Sequence, residues 1–262
     1  MNEVELMGGR SLPLLLSGMA ETITIDFSKP LPLFPLPGVV LMPHAAAPLH
    51  VFEPRYQAMT NHALDSHGLI AMATPAPKEV VPGLGSLDQE LDPDQADAQP
   101  PPLDEAVCLG YISQHQAAGE GRYHILLLGL TRARIADELE PDPAGYRRAL
   151  LRPLETRQAP EEALERVKAE LMELIADDAL SQLSVIQMAK DWLEQDLEAV
   201  PLIDLLTQAL CTDSAVRYAN LADIDPVRRG ERLVAYLERT KKMIESAGDP
   251  DDNIDETGSP LN

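Results

Sequence analysis

The stretch LPLFPLPGVVLMPHAAAPLHVFEPRYQAM, from Leu31 to Met59, decides the fold of this chain. Five prolines interrupt its apolar runs before Pro54 opens a segment with helical character. Because proline fixes φ and has no amide hydrogen to donate, these residues are excluded from the middle of a central strand. The stretch therefore predicts three short strands, Leu31–Phe34, Val39–Met42 and Leu49–Phe52. Short strands joined by sharp turns are typical of the wall of a small closed barrel.

The residues that follow predict one helix and several further strands. Pro54–His67 is predicted to be a helix with proline in its first turn, and the apolar run Leu69–Thr74 is predicted to be a buried strand. Val107–His115 and Arg122–Leu128 flank a glycine-rich turn, a pattern that predicts a hairpin. Two further strands are predicted at Thr131–Glu138 and Tyr146–Leu154.

Beyond Pro160 the apolar residues recur with the period of a helix. They form one stripe that consists of Leu164, Val167, Leu171, Leu174 and Ile175. Later helices are predicted at Val185–Leu197, Leu202–Leu210 and Pro226–Ala247, the last with Asp225 as its N-cap and Gly248 just beyond its end. The pattern predicts an α+β fold, in which a β-barrel-like subdomain precedes a helical subdomain.

Composition divides the chain further. Residues 75–106 are rich in Asp and Glu and almost lack aromatic residues, so we expect a mobile acidic surface loop there. Residues 249–262 are acidic and polar and predict a disordered tail. The expected organisation is a partly disordered leader at 1–30, a β-rich subdomain at 31–155 that carries the loop, a helical subdomain at 156–248, and the tail.

Two separated blocks of sequence carry a family resemblance. The first is PLFPLPGVVLMP followed by PLHVFEPRYQAM, and the second is VCLGYISQHQAAGEGRYHILLLGLTRARIADEL, from Val107 to Leu139. The second block contains a Gly-x-Ile strand at 110–112, a glycine-rich hairpin turn at 119–121 and a G-L-x-R-x-R-I element at 129–135. In this order the blocks resemble the Lon N-terminal domain, also called the LON substrate-binding domain, from Leu31 to about Glu238. The resemblance departs at His44-Ala45-Ala46-Ala47, where a glycine is usual.

The resemblance implies both a fold and a function. The fold would be a PUA-like pseudo β-barrel followed by an α-helical bundle, and the function would be non-catalytic recognition of polypeptide substrates. Such a module would act as an adaptor in protein quality control or proteolysis, with polypeptide substrates or a protease or chaperone as partners. We expect its binding surface where the barrel meets the helices, and we predict four protein-binding residues there: Phe52, Arg55, Tyr56 and Met59.

The alternative function is that of an RNA-binding accessory protein, because PUA-like barrels elsewhere bind RNA. The overall charge of the chain argues against it. The chain has a formal net charge of −22 and only 4% aromatic residues. Nucleic-acid affinity depends on Lys and Arg that neutralise phosphates, and RNA recognition adds aromatic residues that stack on bases. We therefore expect no nucleic-acid partner.

The expected compartment is the cytoplasm, with no membrane association. No stretch of the sequence reaches the roughly 18 apolar residues that span a bilayer. Glu3 and Glu5 stand where a secretory signal would be basic. Cys108 and Cys211 lie in apolar surroundings far apart in the chain, which predicts two buried free thiols rather than a disulfide.

Motifs of catalysis are missing from the sequence. Gly-Lys never occurs, so there is no P-loop, and neither a Gly-x-Ser-x-Gly elbow nor a His-Glu-x-x-His helix is found. The family resemblance does not extend to the ATPase and Ser-Lys peptidase modules of a Lon protease. We therefore predict no enzyme activity, no catalytic residue, no cofactor and no metal.

Two clusters have competing interpretations. Glu53 could act as a base with Tyr56 as an acid, but we favour a structural role, in which Glu53 caps the helix or pairs with Arg55 while Tyr56 packs on the barrel. His115 and His124 flank the predicted hairpin turn, yet a metal site needs three or four converging ligands, so we favour ordinary strand histidines.

Two sets of basic residues are predicted to face solvent. Arg132 and Arg134 alternate with apolar neighbours along their strand, which predicts an exposed strand face and an alternative role as a contact for an acidic partner. The second set is predicted to form the solvated side of the last helix and contains Arg228, Arg229, Arg232, Arg239, Lys241 and Lys242.

Overall fold

A computed structural model gives the fold of the 262-residue chain. It describes residues 9–13, 22–76, 100–181, 185–186, 189 and 197–247. The predicted tail, most of the leader, most of the acidic loop and most of the predicted helix Val185–Leu197 lie outside the described residues.

The strands within the described residues form two sheets. An antiparallel pair, β1 (Gly9–Pro13) and β2 (Thr22–Asp26), makes the smaller sheet. The larger sheet has the order β4-β7-β6-β5-β3-β8, and an additional β7–β8 pairing closes it on itself. Its strands are β3 (Leu31–Pro35), β4 (Ala46–Val51), β5 (Leu69–Ala73), β6 (Ala106–Ala117), β7 (Tyr123–Leu139) and β8 (Arg148–Pro153).

In the described parts of the chain, one helix lies among the strands and the others follow them. Helix α1 (Pro54–Leu64) connects β4 to β5. The later helices are α2 (Glu161–Ala176), α3 (Asp178–Ser181), α4 (Ala199–Leu210), α5 (Ser214–Ala222) and α6 (Pro226–Ala247). Helix α6 has its predicted bounds, and it begins where predicted because the Asp225 carboxylate accepts hydrogen bonds from the amides of Val227 and Arg228, at 3.0 and 3.3 Å. The α+β fold class is therefore confirmed.

Strand β7 is one continuous strand of 17 residues, although the sequence predicted two. It pairs with β4 and β6 along its first half and with β6 and β8 along its second half. Gly129 lies at the change of partner, where a Cβ atom would come within 2.2 Å of the Met42 carbonyl oxygen. The absence of a side chain at this position lets the chain between β3 and β4 pack directly on β7.

The prediction of a strand at Val39–Met42 is wrong. This segment is a buried connection, with Val40, Leu41 and Met42 almost fully shielded from solvent. Its polar backbone groups bond outside any ladder, since the Met42 amide donates to Oε1 of Gln208 on α4 at 2.9 Å. The prolines at 37 and 43 confine the segment to a turn-rich path, and a helix supplies the hydrogen bond that a neighbouring strand would have supplied.

Apolar packing joins some helices to the barrel and joins the later helices to one another. Tyr56 and Met59 of α1 lie in a barrel cluster that also contains Leu221 of α5. The predicted stripe of α2 is confirmed in part, because Val167, Leu171 and Ile175 are fully buried against α4 and α6. The barrel and the helices therefore meet along α4 and α5.

Candidate functional site

The structure separates the four predicted protein-binding residues into two pairs. Phe52, directly after β4, is 59% exposed, and Arg55 in the first turn of α1 is also exposed. Tyr56 is 5% exposed and Met59 is fully buried. In this conformation, therefore, only Phe52 and Arg55 present side chains to a partner, while Tyr56 and Met59 seat α1 on the barrel.

The cluster of Glu53, Arg55 and Tyr56 has the geometry of a structural unit. Glu53 makes no side-chain cap of α1. It accepts instead from Nε of Arg55 at 2.9 Å, and the Arg55 guanidinium lies 4.5 Å from the centre of the Tyr56 ring. The Tyr56 ring packs 4.6 Å from that of Phe34, and burial raises the pKa of Tyr56 above its ordinary value. Pairing and ring packing thus account for all three side chains, which agrees with the structural interpretation.

Aromatic rings extend the exposed area around Phe52. The His50 ring lies 5.6 Å from the Phe52 ring and stacks on His124 of β7 at 4.7 Å. We call His50, Phe52, Arg55 and His124 together the Phe52 surface. Among the described residues, no group of three or more His, Cys, Asp or Glu side chains is arranged to hold a metal ion.

The prediction that Arg132 faces solvent is wrong, whereas Arg134 is exposed. Arg132 is 4% exposed and donates to both oxygens of Asp204 on α4, Nη1 to Oδ2 at 2.7 Å and Nη2 to Oδ1 at 2.5 Å. Its Nε donates to the carbonyl of Leu221 at the end of α5, at 3.2 Å. The alternation of side chains along β7 correctly predicts that Arg132 points away from the barrel interior. At this position, however, α4 and α5 cover the outer face of the strand.

The prediction that Arg229 is solvated is also wrong. It is fully buried, with Nη1 3.8 Å from Oδ1 of Asp204, and within the described part of the chain its Nε, Nη1 and Nη2 have no hydrogen-bond partner. Leaving a buried donor without an acceptor costs about 1–3 kcal/mol. Burial lowers the pKa of Arg229 to about 10, so the side chain remains cationic at neutral pH. We call Arg132, Asp204 and Arg229 the junction cluster.

The rest of the basic set on α6 lies closer to solvent, and most of it is paired. Arg228 and Arg232 each bond to Asp223, at 2.8 and 2.9 Å. Lys241 bonds to Asp177 at 2.5 Å. Arg239 is exposed and donates to a carbonyl of its own helix.

A cleft of about 300 Å³ opens beside the junction cluster, and we call it the junction cleft. Arg132 and Asp204 line it together with His44, Thr131, Thr156 and Val200. His44 has a φ of 67°, in the left-handed region, and it stands at the turn where the resembling family usually has glycine. Burial lowers the pKa of His44, which keeps its imidazole neutral at pH 7.

Sequence reasoning missed this cluster, although one signal was present. Helix α4 reads AVPLIDLLTQAL, and Asp204 is its one charged residue. A carboxylate between apolar residues of a helix that packs in the core needs a cationic partner, since an isolated buried charge is strongly unfavourable. The identity of that partner depends on which strand packs against α4, and only the tertiary structure shows this.

The chain is similar to known proteins both in sequence and in fold. The family model of the ATP-dependent protease La (LON) substrate-binding domain matches residues 30–239. The chain belongs to this family. The match has nearly the same limits as the resemblance inferred from the sequence, and it covers both the barrel and the helices. No curated protein is similar enough to the chain to count as a match.

Two solved structures show the same fold as this LON substrate-binding domain protein. One is the N-terminal domain of a Mycobacterium avium complex Lon protease, with 15% identity and a TM-score of 0.57, covering 80% of this chain and 98% of that one. The other is a Lon N-terminal domain protein from Xanthomonas campestris, with 19% identity and a TM-score of 0.52, covering 79% and 98%. At these identities the likeness establishes the fold alone.

Two further observations concern the predicted free thiols and the search for membrane-spanning helices. Cys108 and Cys211 are both free and buried, as predicted. Within the described parts of the chain, no helix is both long and apolar enough to cross a membrane.

Proposed function

We propose that this protein is a non-catalytic polypeptide-binding module, which acts as a cytoplasmic adaptor in protein quality control or proteolysis. Its family is named for substrate binding, and the match covers the barrel and the helices. The observation that carries the proposal is the exposure of Phe52, which is 59% exposed and precedes the exposed Arg55 by three residues.

The Phe52 surface has the composition of a protein-binding hot spot. Tryptophan, tyrosine and arginine are enriched among the residues that dominate binding energy, and phenylalanine is enriched with them in protein–protein interfaces. Full burial of a phenylalanine side chain contributes about 1.5–3 kcal/mol, which favours contact with an exposed apolar segment of another polypeptide. The net charge of −22 keeps copies of this protein apart, so the surface remains open to clients.

The test measures binding of fluorescently labelled, reduced and carboxymethylated lactalbumin, a permanently unfolded polypeptide, by anisotropy. Phe52→Ser is expected to raise Kd about tenfold, equivalent to about 1.4 kcal/mol, without a change in melting temperature. Met243→Ser is the matched control, because Met243 on α6 is 64% exposed and lies outside the Phe52 surface. Arg55→Glu is expected to weaken binding as well, with little effect on stability.

Two results would overturn the proposal. One is equal binding by wild type, Phe52→Ser and Met243→Ser. The other is a gel-mobility shift with single-stranded RNA that persists at moderate salt, which would favour the RNA-binding alternative.

A further inference from the structure

The junction cluster carries an unbalanced buried charge. Arg132 and Arg229 are cationic, and among the residues that the structure describes Asp204 is the carboxylate that pairs with both. Asp204 makes both of its short hydrogen bonds to Arg132, and Arg229 lies at a longer distance with its donors unused. Asp223 and Asp225 also stabilise the Arg229 cation, but they pair with Arg228 and Arg232, so an excess of one positive charge remains. It lies in surroundings where the protein screens charge much less than water does.

The excess charge lies beside an opening. Arg132 and Asp204 line the junction cleft, and Arg229 touches Asp204 from within the protein. A guanidinium has five N–H donors, of which Arg132 uses three. The hydroxyl-bearing residues Thr131 and Thr156 and the His44 side chain add polar groups to the lining, and Glu155 is the exposed acidic residue on it.

We propose that the junction cleft binds a carboxylate group. A carboxylate carries one negative charge, which balances the single excess positive charge, and its oxygens can accept from the two N–H groups of Arg132 that its three bonds to Asp204 and Leu221 leave over. A phosphate dianion would bring two negative charges next to Asp204 and is disfavoured. The volume of about 300 Å³ exceeds that of a carboxylate alone and leaves room for the group that bears it. The ligand is thus either a small free carboxylate or a carboxylate of a polypeptide, such as its C-terminus.

The test uses the full-length protein and three probes at constant ionic strength: acetate, N-acetyl-dialanine with a free C-terminus, and the same dipeptide as its amide. Chloride and inorganic phosphate serve as comparison anions. NMR of the imidazole resonances reports binding, and His44→Asn assigns the signal among the six histidines. Because a bound anion favours the protonated imidazole, the site predicts a saturable rise in the titration midpoint of His44.

The outcomes separate the sources of the carboxylate. Binding of free-acid N-acetyl-dialanine that is about tenfold or more tighter than that of acetate identifies a polypeptide carboxylate. Equal or tighter binding of acetate identifies a small free carboxylate. A response no larger than that to chloride, an equal response to the amide, or tighter binding of phosphate would each overturn the proposal.

Two variants with matched controls test the origin of the effect. Arg229→Met removes the excess charge and is expected to weaken carboxylate binding about tenfold or more, whereas Arg239→Met changes an exposed arginine of the same helix and is expected to have no effect. Thr156→Glu changes an exposed residue, so it leaves the core intact and places a competing carboxylate in the cleft. Thr156→Gln is its neutral control. Full binding in both Arg229→Met and Thr156→Glu would overturn the proposal, and it would leave the function proposed for the Phe52 surface untouched.

Discussion

Arg132 of β7 and Asp204 of α4 form a buried ion pair with two hydrogen bonds, and this pair joins the barrel to the helices. The two bonds measure 2.7 and 2.5 Å, and the side chains are 4% and 0% exposed. A third bond from Arg132 reaches the carbonyl of Leu221, at the C-terminal end of α5, where helices accept bonds from cations. One strand residue thus fixes the positions of two helices.

Asp204→Leu is expected to lower the free energy of unfolding by about 3–5 kcal/mol, because it leaves two buried arginines without a counter-charge. The triple variant Arg132→Met/Asp204→Leu/Arg229→Met is expected to recover most of this loss, since apolar side chains then replace the whole cluster. Urea unfolding measures both. Glu53→Gln is the control, because its exposed pair with Arg55 is worth at most about 1 kcal/mol. A loss below 1 kcal/mol for Asp204→Leu would contradict a structural role for the pair.

The stability of the protein is expected to fall as the pH drops below about 6.5, through His44. Burial lowers the pKa of His44, with Arg132 of β7 and Arg229 of α6 acting in the same direction and Asp204 of α4 opposing them. Between the lowered pKa and about 6.5 the unfolded chain therefore binds more protons than the folded one, and the unfolding free energy rises with pH in that window.

His44→Asn isolates this effect, because asparagine tolerates the left-handed backbone conformation and does not titrate. Urea unfolding at a series of pH values from 5 to 8 should show a steeper acid-side slope in the wild type than in the variant. Parallel curves for the two proteins would mean that His44 does not carry the dependence.

Much of the fold could be predicted from local patterns, and the failures share one cause. The prolines and alternating apolar residues fixed most strands, and the N-cap at Asp225 fixed the start of α6. Val39–Met42 has the composition of a strand, but Gln208 of a distant helix satisfies its backbone. Arg132 and Arg229 have the spacing of solvated residues, yet α4 covers both. A sequence pattern reports which side chains share a face, and only the tertiary arrangement decides what lies against that face.

The candidate site shows the same limit. The sequence predicted both Phe52, which precedes α1, and Tyr56, in its first turn, as protein-binding residues, although a packing role on the barrel was favoured for Tyr56 over a role as an acid. The structure turns Tyr56 onto Phe34 and leaves Phe52 exposed. Helical geometry decides this outcome, because Tyr56 lies inside α1 on its buried face and Phe52 precedes the helix.

Neither cysteine is expected to react with Ellman's reagent in the native protein at pH 8. Burial raises the pKa of Cys108 to about 12 and raises that of Cys211, so little thiolate is present and the sulfur atoms are shielded. Both thiols should react at once in urea, which gives two equivalents per chain. Cys211→Ser assigns any native reactivity, and a fast equivalent that persists in this variant would show that the barrel around Cys108 opens readily.

Gly129→Ala is expected to lower the free energy of unfolding by about 3 kcal/mol or more, because its Cβ would lie 2.2 Å from the carbonyl oxygen of Met42. That oxygen belongs to the backbone of the buried connection, so it cannot move without displacing the Val40–Met42 part of the core. Gly38→Ala is the comparison variant, since Gly38 has a φ of 72° and open space around it. Its expected cost is about 1–2 kcal/mol and comes from the backbone alone. Urea unfolding measures both variants, and equal losses would mean that the connection yields to the added methyl group and that its close packing on β7 is not what requires glycine at position 129.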